Sequence, residues 1–144
     1  VFMNPMECPF RAMDTLLKTV PCNAPVIVDF HAEATSEKIA MGFYLDGRVA
    51  AVVGTHTHVQ TSDAVLLPKG TAYMTDLGMT GPFNSVIGRE IAPVLKKFTT
   101  GIPAKFDVAS GPCVLEGAIL EVDRQSGKAV SITPYRYREG AVAG

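Results

Sequence analysis

Two apolar runs in the first half of the chain predict buried strands. Val49–Val53 contains no polar residue and is followed by Gly54, a pattern typical of a strand that is buried on both faces and stops at the glycine. Val26–Phe30 is a similar run, interrupted by Asp29, and His31 follows it directly. We therefore predict two strands, with His31 on the loop that follows the first.

A helix is predicted between these two strands. Apolar residues recur at helical intervals from Ile39 to Leu45. Thr35 or Ser36 is a suitable N-cap, and Gly47 is a suitable end. A strand, a helix and a second strand form a βαβ unit with parallel strands and a right-handed crossover. Both strands of such a unit end at the same edge of the sheet.

The second half of the chain changes to shorter strands and turns. Asp63–Leu67 and Thr71–Met74 flank a Pro-Lys-Gly turn, which predicts a hairpin-like pair. Cys113–Val122 and Ala129–Tyr137 predict a longer antiparallel hairpin, in which Pro134 marks the second strand as an edge. The predicted fold class is α/β, with a parallel βαβ unit followed by an antiparallel hairpin.

Two more helices are predicted to pack through one apolar face each. The ranges are Pro9–Thr19 and Arg89–Lys97, and their apolar residues recur at helical spacing. The residues expected to face inward are Phe10, Met13, Leu16 and Leu17 in the first helix, and Ile91, Val94, Leu95 and Phe98 around the second.

Composition excludes several classes of protein. With 144 residues the chain has the length of one domain, covering residues 1–144. It is 47% hydrophobic and 19% charged, with a formal net charge of -1, which argues against disorder and against electrostatic binding of nucleic acid. Arg136 and Arg138 alternate with tyrosines, and we interpret them as charges that protect an edge strand.

The sequence carries no indication of a membrane or of export. No apolar run approaches the roughly 18 residues of a membrane span, and no basic and apolar leader is visible. Cys8, Cys22 and Cys113 lack C-x-x-C spacing and are interpreted as reduced thiols. We therefore predict a cytoplasmic protein.

All the histidines follow predicted buried strands. His56 and His58 come just after Gly54, and His31 follows the other strand. Imidazole is the commonest protein ligand of transition metals, and the carboxyl edge of a parallel sheet is a usual binding crevice. An isolated H-x-H pair is as often two surface histidines bonded to water or to carbonyls. The third histidine favours a metal site.

Two acids near His31 allow two interpretations each. Asp29 is either a buried partner for a histidine N–H or an exposed acid. Glu33 either orients an imidazole or lies near a helix N-terminus, where the helix dipole favours an acid. We slightly favour the helix interpretation for Glu33.

The segment Thr75–Pro82 is rich in glycine and hydroxyl side chains. It is expected to interrupt regular structure, and such a loop can offer backbone N–H groups and hydroxyls to an anion. A glycine-rich turn is more often only a turn.

Three segments together carry a resemblance. Asp29–Lys38, Gly54–Thr61 and Thr75–Pro82 resemble the signature segments of the YmdB-like bacterial metallophosphoesterases. These are calcineurin-like phosphodiesterases whose substrates include cyclic nucleotides. The resemblance covers the chain from Val1 to about Gly140. It implies a small phosphodiester substrate and a four-layer α/β/β/α sandwich.

The resemblance also implies a dinuclear metal centre. The cofactors would be two divalent ions, iron or manganese, with zinc and magnesium as alternatives. His31 and His56 would ligate one ion and His58 the other. Thr75, Gly78, Thr80 and Gly81 would lie near the substrate. Asp29 and Glu33 are candidates to support the ligands only on the first of the two interpretations given above for each.

The chain departs from that family at its N-terminal side. The family's bridging glutamate, its other oxygen ligands and the histidine that protonates the leaving group have no counterpart here, so the catalytic acid is unknown. We interpret the chain as the C-terminal half of the sandwich and predict that it alone binds metal weakly and has little activity. We also predict that a second copy or a partner segment covers the exposed sheet face.

Two other functions are considered. The chain could be a non-catalytic module that keeps a phosphate-binding, nucleotide-binding or interaction surface. His56-Thr57-His58 also matches the H-x-H of amidohydrolase-type barrels, but such a barrel needs more βα units than this chain holds.

Overall fold

A computed structural model describes residues 7–21 and 24–140 of the chain. The predicted apolar runs form two adjacent strands of a four-stranded mixed sheet, the first at its edge and the second inside it. The strands β1 (Ile27–His31), β2 (Ala51–Thr55) and β4 (Ala72–Met74) are parallel, and β3 (Val65–Leu66) is antiparallel to β4. Their order across the sheet is β1-β2-β4-β3. The parallel βαβ unit and the hairpin-like pair are therefore confirmed.

The helices α1 (Pro9–Leu17) and α2 (Thr35–Leu45) pack against the sheet through the main hydrophobic core. Fully buried strand residues meet α2, while α1 adds half-buried side chains at the margin. The buried members of this core are Met41, Leu45, Val49, Val52, Leu67 and Tyr73, joined at its margin by Phe10, Met13, Leu17, Val26, Val28 and Phe30. Leu16, predicted to face inward, is exposed.

The buried face of α2 differs from the prediction. Its buried residues are Lys38, Met41, Gly42 and Leu45, spaced as i, i+3, i+4 and i+7. Ile39 and Phe43 belong to the apolar residues that recur at helical intervals in the sequence, but both are exposed. The N-cap is Ala34, without a side-chain cap, so the prediction of Thr35 or Ser36 was wrong.

A second sheet forms from the second half of the chain. Its strands are β5 (Thr80–Pro82), β6 (Cys113–Val122) and β7 (Ala129–Arg138), antiparallel in the order β5-β6-β7. The predicted hairpin is confirmed, and β7, which contains Pro134, is an edge strand of this three-stranded sheet. The prediction that Thr75–Pro82 lacks regular structure was wrong for residues 80–82, because they extend the sheet beside β6.

The helix α3 (Ile91–Thr100) begins two residues later than the predicted helix. Val94 is its buried residue, whereas Ile91, Leu95 and Phe98 are exposed. Amphipathic spacing identifies which residues share a face, but it does not show whether another element covers that face.

Two strand ends also differ from the prediction. His31 is the last residue of β1, and β2 continues through Gly54 to Thr55. A Cβ on Gly54 would lie 1.9 Å from the carbonyl oxygen of Thr75. The glycine is therefore needed for the close approach of two backbones and does not end the strand.

Two remaining predictions concern the cysteines and the membrane. Cys8 and Cys113 are free and exposed, as expected of reduced thiols, while Cys22 lies outside the described residues. Among the residues that the structure describes, no helix combines the length and the apolar character of a membrane span.

Candidate metal centre

The carboxyl ends of the three parallel strands meet at one edge of the sheet. His31, the last residue of β1, is the register partner of Thr55, the last residue of β2. His56 to His58 continue from β2, and Thr75 and Asp76 continue from β4. Polar residues from distant parts of the sequence are thereby gathered around the two histidine segments.

A chain of hydrogen bonds orients His31. Asp29 and His31 lie on the same face of β1, since side chains two residues apart along a strand share a face. The Thr55 hydroxyl donates to Asp29 Oδ1 at 3.0 Å, and Thr55 Oγ1 lies 3.1 Å from Nδ1 of His31. Because the hydroxyl's single proton goes to the carboxylate, the Thr55 oxygen accepts from His31 Nδ1–H. The Nε2 atom of His31 therefore presents a lone pair.

That lone pair is directed at His56. Nε2 of His31 and Nδ1 of His56 are 3.2 Å apart, and the two rings meet edge to face at 74°. Without a cation, this contact is a hydrogen bond donated by His56. The distance also fits two neighbouring ligands of one cation with metal–nitrogen bonds of about 2.1 Å. The spacing of the two nitrogens is therefore compatible with both rings binding one divalent ion that lies off the line between them.

His58 turns away from this pair. Its Nδ1 lies 3.1 Å from the carbonyl oxygen of Ile87, and because a carbonyl can only accept, this nitrogen carries the ring proton. Nε2 is then the atom left to bind a cation. Within residues 7–21 and 24–140, no three His, Cys, Asp or Glu side chains are placed to hold one ion together. The expected convergence of three imidazoles is limited to His31 and His56.

The H-x-H segment has an unusual backbone. His56 has a φ of 124° and His58 a φ of 63°, values that residues other than glycine seldom adopt. The backbone N–H of Thr57, between them, donates to Asp76 Oδ2 at 2.9 Å. The Asp76 carboxylate thus holds the segment in this conformation.

Asp76 belongs to a buried ion pair that the sequence analysis missed. Lys38 Nζ and Asp76 Oδ2 are 2.8 Å apart, and their side chains are 1% and 0% exposed. The other oxygen, Oδ1, accepts from the backbone N–H of Gly78 at 3.0 Å. Burial by itself would raise the pKa of Asp76, but the hydrogen bonds from Lys38, Thr57 and Gly78 outweigh it, and the pKa is below its ordinary value.

A polar residue on the buried stripe of α2 was the available sequence signal for this pair. Lys38 lies three residues before Met41 and seven before Leu45, so it shares their face. A buried lysine requires a carboxylate partner. Sequence spacing could not identify that partner, because Asp76 is 38 residues away.

The other predicted site residues lie in different environments. Glu33 is exposed, and in the described part of the chain it makes no hydrogen bond to an imidazole. Thr75 is buried, and its hydroxyl is bonded to Asp63 and Tyr73. Gly78 has a φ of 92°, and its N–H serves Asp76. Thr80 is exposed on β5, next to the partly buried Gly81.

The three signature segments and the site they form can be compared with known proteins. The model of the family described as YmdB-like protein matches residues 1–135. The chain belongs to the YmdB-like family. The family resemblance expected from the sequence is confirmed, and the paired histidines lie within the matched range.

Several YmdB-like relatives and neighbours are longer than this chain. It is 51% identical over 132 residues to the 2',3'-cyclic-nucleotide 2'-phosphodiesterase of Bacillus subtilis (strain 168), covering 91% of this chain and 50% of that protein. A crystal structure of a hypothetical protein from Thermus thermophilus matches with a TM-score of 0.85 at 49% identity, over 96% of this chain and 54% of the other.

A third comparison concerns a structure named as a novel phosphatase from Mycoplasma pneumoniae. It matches with a TM-score of 0.85 at 37% identity, over 96% of this chain and 50% of that chain. The present chain thus has the mixed α/β fold of a phosphatase structure and spans about half the length of the proteins it matches.

Proposed function

We propose that this chain forms part of a metal-dependent phosphodiesterase that hydrolyses cyclic nucleotides or related phosphodiesters. The contact between Nε2 of His31 and Nδ1 of His56, 3.2 Å apart at the carboxyl edge of the sheet, is the observation that carries the proposal. The name of the Bacillus subtilis relative, 2',3'-cyclic-nucleotide 2'-phosphodiesterase, supports the substrate class.

In this proposal, His31 and His56 hold one divalent ion and His58 holds a second. Iron and manganese are the first candidates, with zinc and magnesium as alternatives. Two such ions, when bound, lower the pKa of a water toward neutrality and offset charge on the phosphate oxygens. Carboxylate ligands for a dinuclear centre are expected from a part of the protein beyond these 144 residues. The same part would also supply the acid that protonates the leaving group.

The chain's own residues prepare the ligand atoms. Asp29 and Thr55 keep the ring proton of His31 on Nδ1, which leaves Nε2 free. The carbonyl of Ile87 does the same for His58. Asp76 holds the backbone between His56 and His58 through Thr57 N–H. Ligands that are ordered before the ion arrives lose less conformational freedom when it binds.

The finer architecture belongs to the same proposal. The two sheets described here would be one half of a four-layer α/β/β/α sandwich, with a second half or another copy covering the open sheet face. Thr80 and Gly81 remain the accessible candidates for substrate contact. Gly78 and Thr75 would act through the shape of the loop, because their polar groups are already bonded to Asp76 and Asp63.

Hydrolysis assays test this function. The full-length protein that contains these residues is assayed with Mn²⁺ on adenosine 2',3'-cyclic phosphate. The His56→Ala variant should lose most of its turnover, and an Asp14→Asn variant, in the half-buried pair between α1 and Arg48, should retain it. Unchanged turnover in His56→Ala would contradict the metal role. Normal turnover by residues 1–144 alone would contradict the need for further ligands.

A non-catalytic phosphate-binding or interaction module is the second candidate. It is favoured by the absence of a group of three ligand side chains from the described residues. Metal analysis separates the two functions, because full-length protein purified without metal, and unable to bind it on addition, would support the module.

A further inference from the structure

A cavity of about 390 Å³ lies beside the proposed metal centre and has no assigned role. His58 forms part of its wall, and β5, β6 and the segment around Ile87 form the rest. Its volume lies within the range of small-molecule sites. His58 belongs both to the cavity wall and to the proposed metal centre. A molecule in this cavity would therefore lie directly next to a cation held by that histidine.

The walls combine apolar side chains with a few polar groups. Met79, Phe83, Val86 and Ile87 supply apolar surface, while Glu116 and Arg138 supply an acceptor and donors. Flat heterocycles bind in such sites by stacking on aromatic rings or guanidinium planes, and they are recognised by hydrogen bonds at their edges.

Arg138 is the polar group best placed for this recognition. Its guanidinium carbon lies 5.2 Å from the centre of the Phe83 ring, a cation–π arrangement that holds a flexible side chain in one orientation. The neighbouring arginine is engaged differently, since Arg136 pairs with Glu116 Oε1 at 2.6 Å. Among the described residues, the planar Arg138 group has no ion-pair partner and contacts the Phe83 ring, so its donors can reach a ligand.

Glu116 is likewise fixed before a ligand arrives. Its Oε2 accepts from the backbone N–H of Met79 at 3.1 Å, and the pair with Arg136 holds the other oxygen. Carboxylates accept from exocyclic amines of nucleobases, and arginine donates to their ring nitrogens and carbonyls. One wall of the cavity therefore presents both types of group that read a base edge.

We propose that this cavity binds the nucleobase of a nucleotide, with Arg138 and Phe83 as the residues that determine specificity for a base. The assignment of that base to the hydrolysed substrate rests on the proposed phosphodiesterase function. The phosphate would then lie toward His58, and the base would lie against β5 and β7.

Adenosine and ribose are suitable probes, because neither contains a phosphodiester. Binding to the full-length protein is measured by NMR titration in the presence of a metal chelator, so the result does not depend on hydrolysis. We expect saturable binding of adenosine with shifts at Phe83 and Ile87, and no comparable binding of ribose. Because stacking contributes substantially to the binding of a base, Phe83→Ala and Arg138→Ala should each raise the Kd about tenfold.

Two further variants keep the test decisive. Arg138→Lys keeps the charge and removes the planar fork, so it should weaken the binding of adenosine as much as Arg138→Ala does. Arg124→Ala, in the exposed turn between β6 and β7, should bind adenosine normally. Equal affinity in all variants, or ribose binding as well as adenosine, would overturn the proposal. Adenosine binding by a protein that hydrolyses no phosphodiester would leave this site standing and refute the proposed function.

Discussion

At the scale of single residues, one hydroxyl decides which nitrogen of His31 is free. Thr55 donates to Asp29 and accepts from the imidazole. Thr55→Val preserves the side-chain shape and removes both bonds, so we expect metal affinity to fall about 10- to 100-fold. Equilibrium dialysis with Mn²⁺ measures this change in the full-length protein. Thr133→Val, on an exposed position of β7, is the control, and equal losses in both variants would refute the role of Thr55.

Asp76 is the residue whose loss should cost the most stability. Its carboxylate neutralises Lys38 in a fully buried pair, and removing one partner of such a pair costs about 3–5 kcal/mol. Chemical denaturation of Asp76→Asn should show a decrease of that size in the free energy of unfolding. Asp14→Asn disrupts the more exposed pair with Arg48 and should change stability little. Similar stability of the two variants would contradict this account of the buried pair.

The same carboxylate predicts how stability depends on pH. Hydrogen bonds from Lys38, Thr57 and Gly78 outweigh burial and lower the folded-state pKa of Asp76, while an unfolded aspartate titrates near about 3.9. The resulting stabilisation is complete above about pH 4 and is lost as the pH falls below that value through the folded-state pKa. Denaturation curves below about pH 4 should therefore show a steeper loss in the wild type than in Asp76→Asn. If the wild type and Asp76→Asn lost stability in parallel below about pH 4, the lowered pKa of Asp76 would be contradicted.

At the scale of elements, the sequence predicted those whose pattern is local. The unbroken run Val49–Val53 identified β2, and its two-sided burial is confirmed over residues 51–54. The inward position of Lys38 on α2 was missed, because it depends on Asp76 in a later loop. Spacing alone could not separate His56 from His58, since positive φ values and the Ile87 carbonyl set their directions; only the family resemblance suggested that they would serve different ions.

The contact between β2 and the end of β4 gives a prediction at this scale. A methyl group on Gly54 would lie 1.9 Å from the Thr75 carbonyl oxygen, whereas one on Gly117 in β6 would meet open space. Overpacking of this kind typically costs about 1–3 kcal/mol, so Gly54→Ala should lower the Tm and Gly117→Ala should not. Thermal unfolding measures both, and an unchanged Tm for Gly54→Ala would show that the two strands can separate there without cost.

At the scale of the whole molecule, this chain provides part of a site and about half the length of its relatives. The sequence located His31, His56 and His58 and identified the family, because these features lie in continuous segments. It could not establish the hydrogen-bond partners of the rings, which are Thr55 for His31, His31 for His56 and the Ile87 carbonyl for His58. Under the proposed function, activity would require further ligands beyond the pair of histidines that lie together here.

His31 and His56 are proposed to share one cation, and a double-mutant cycle on metal binding can test this sharing. Titration calorimetry with Mn²⁺ is carried out on the full-length protein, on His31→Ala, on His56→Ala and on the double variant. Ligands of one ion are not independent, so each single variant should lose that ion and the double variant should lose little more. Additive losses from the two substitutions, or full Mn²⁺ binding by either single variant, would contradict a shared cation.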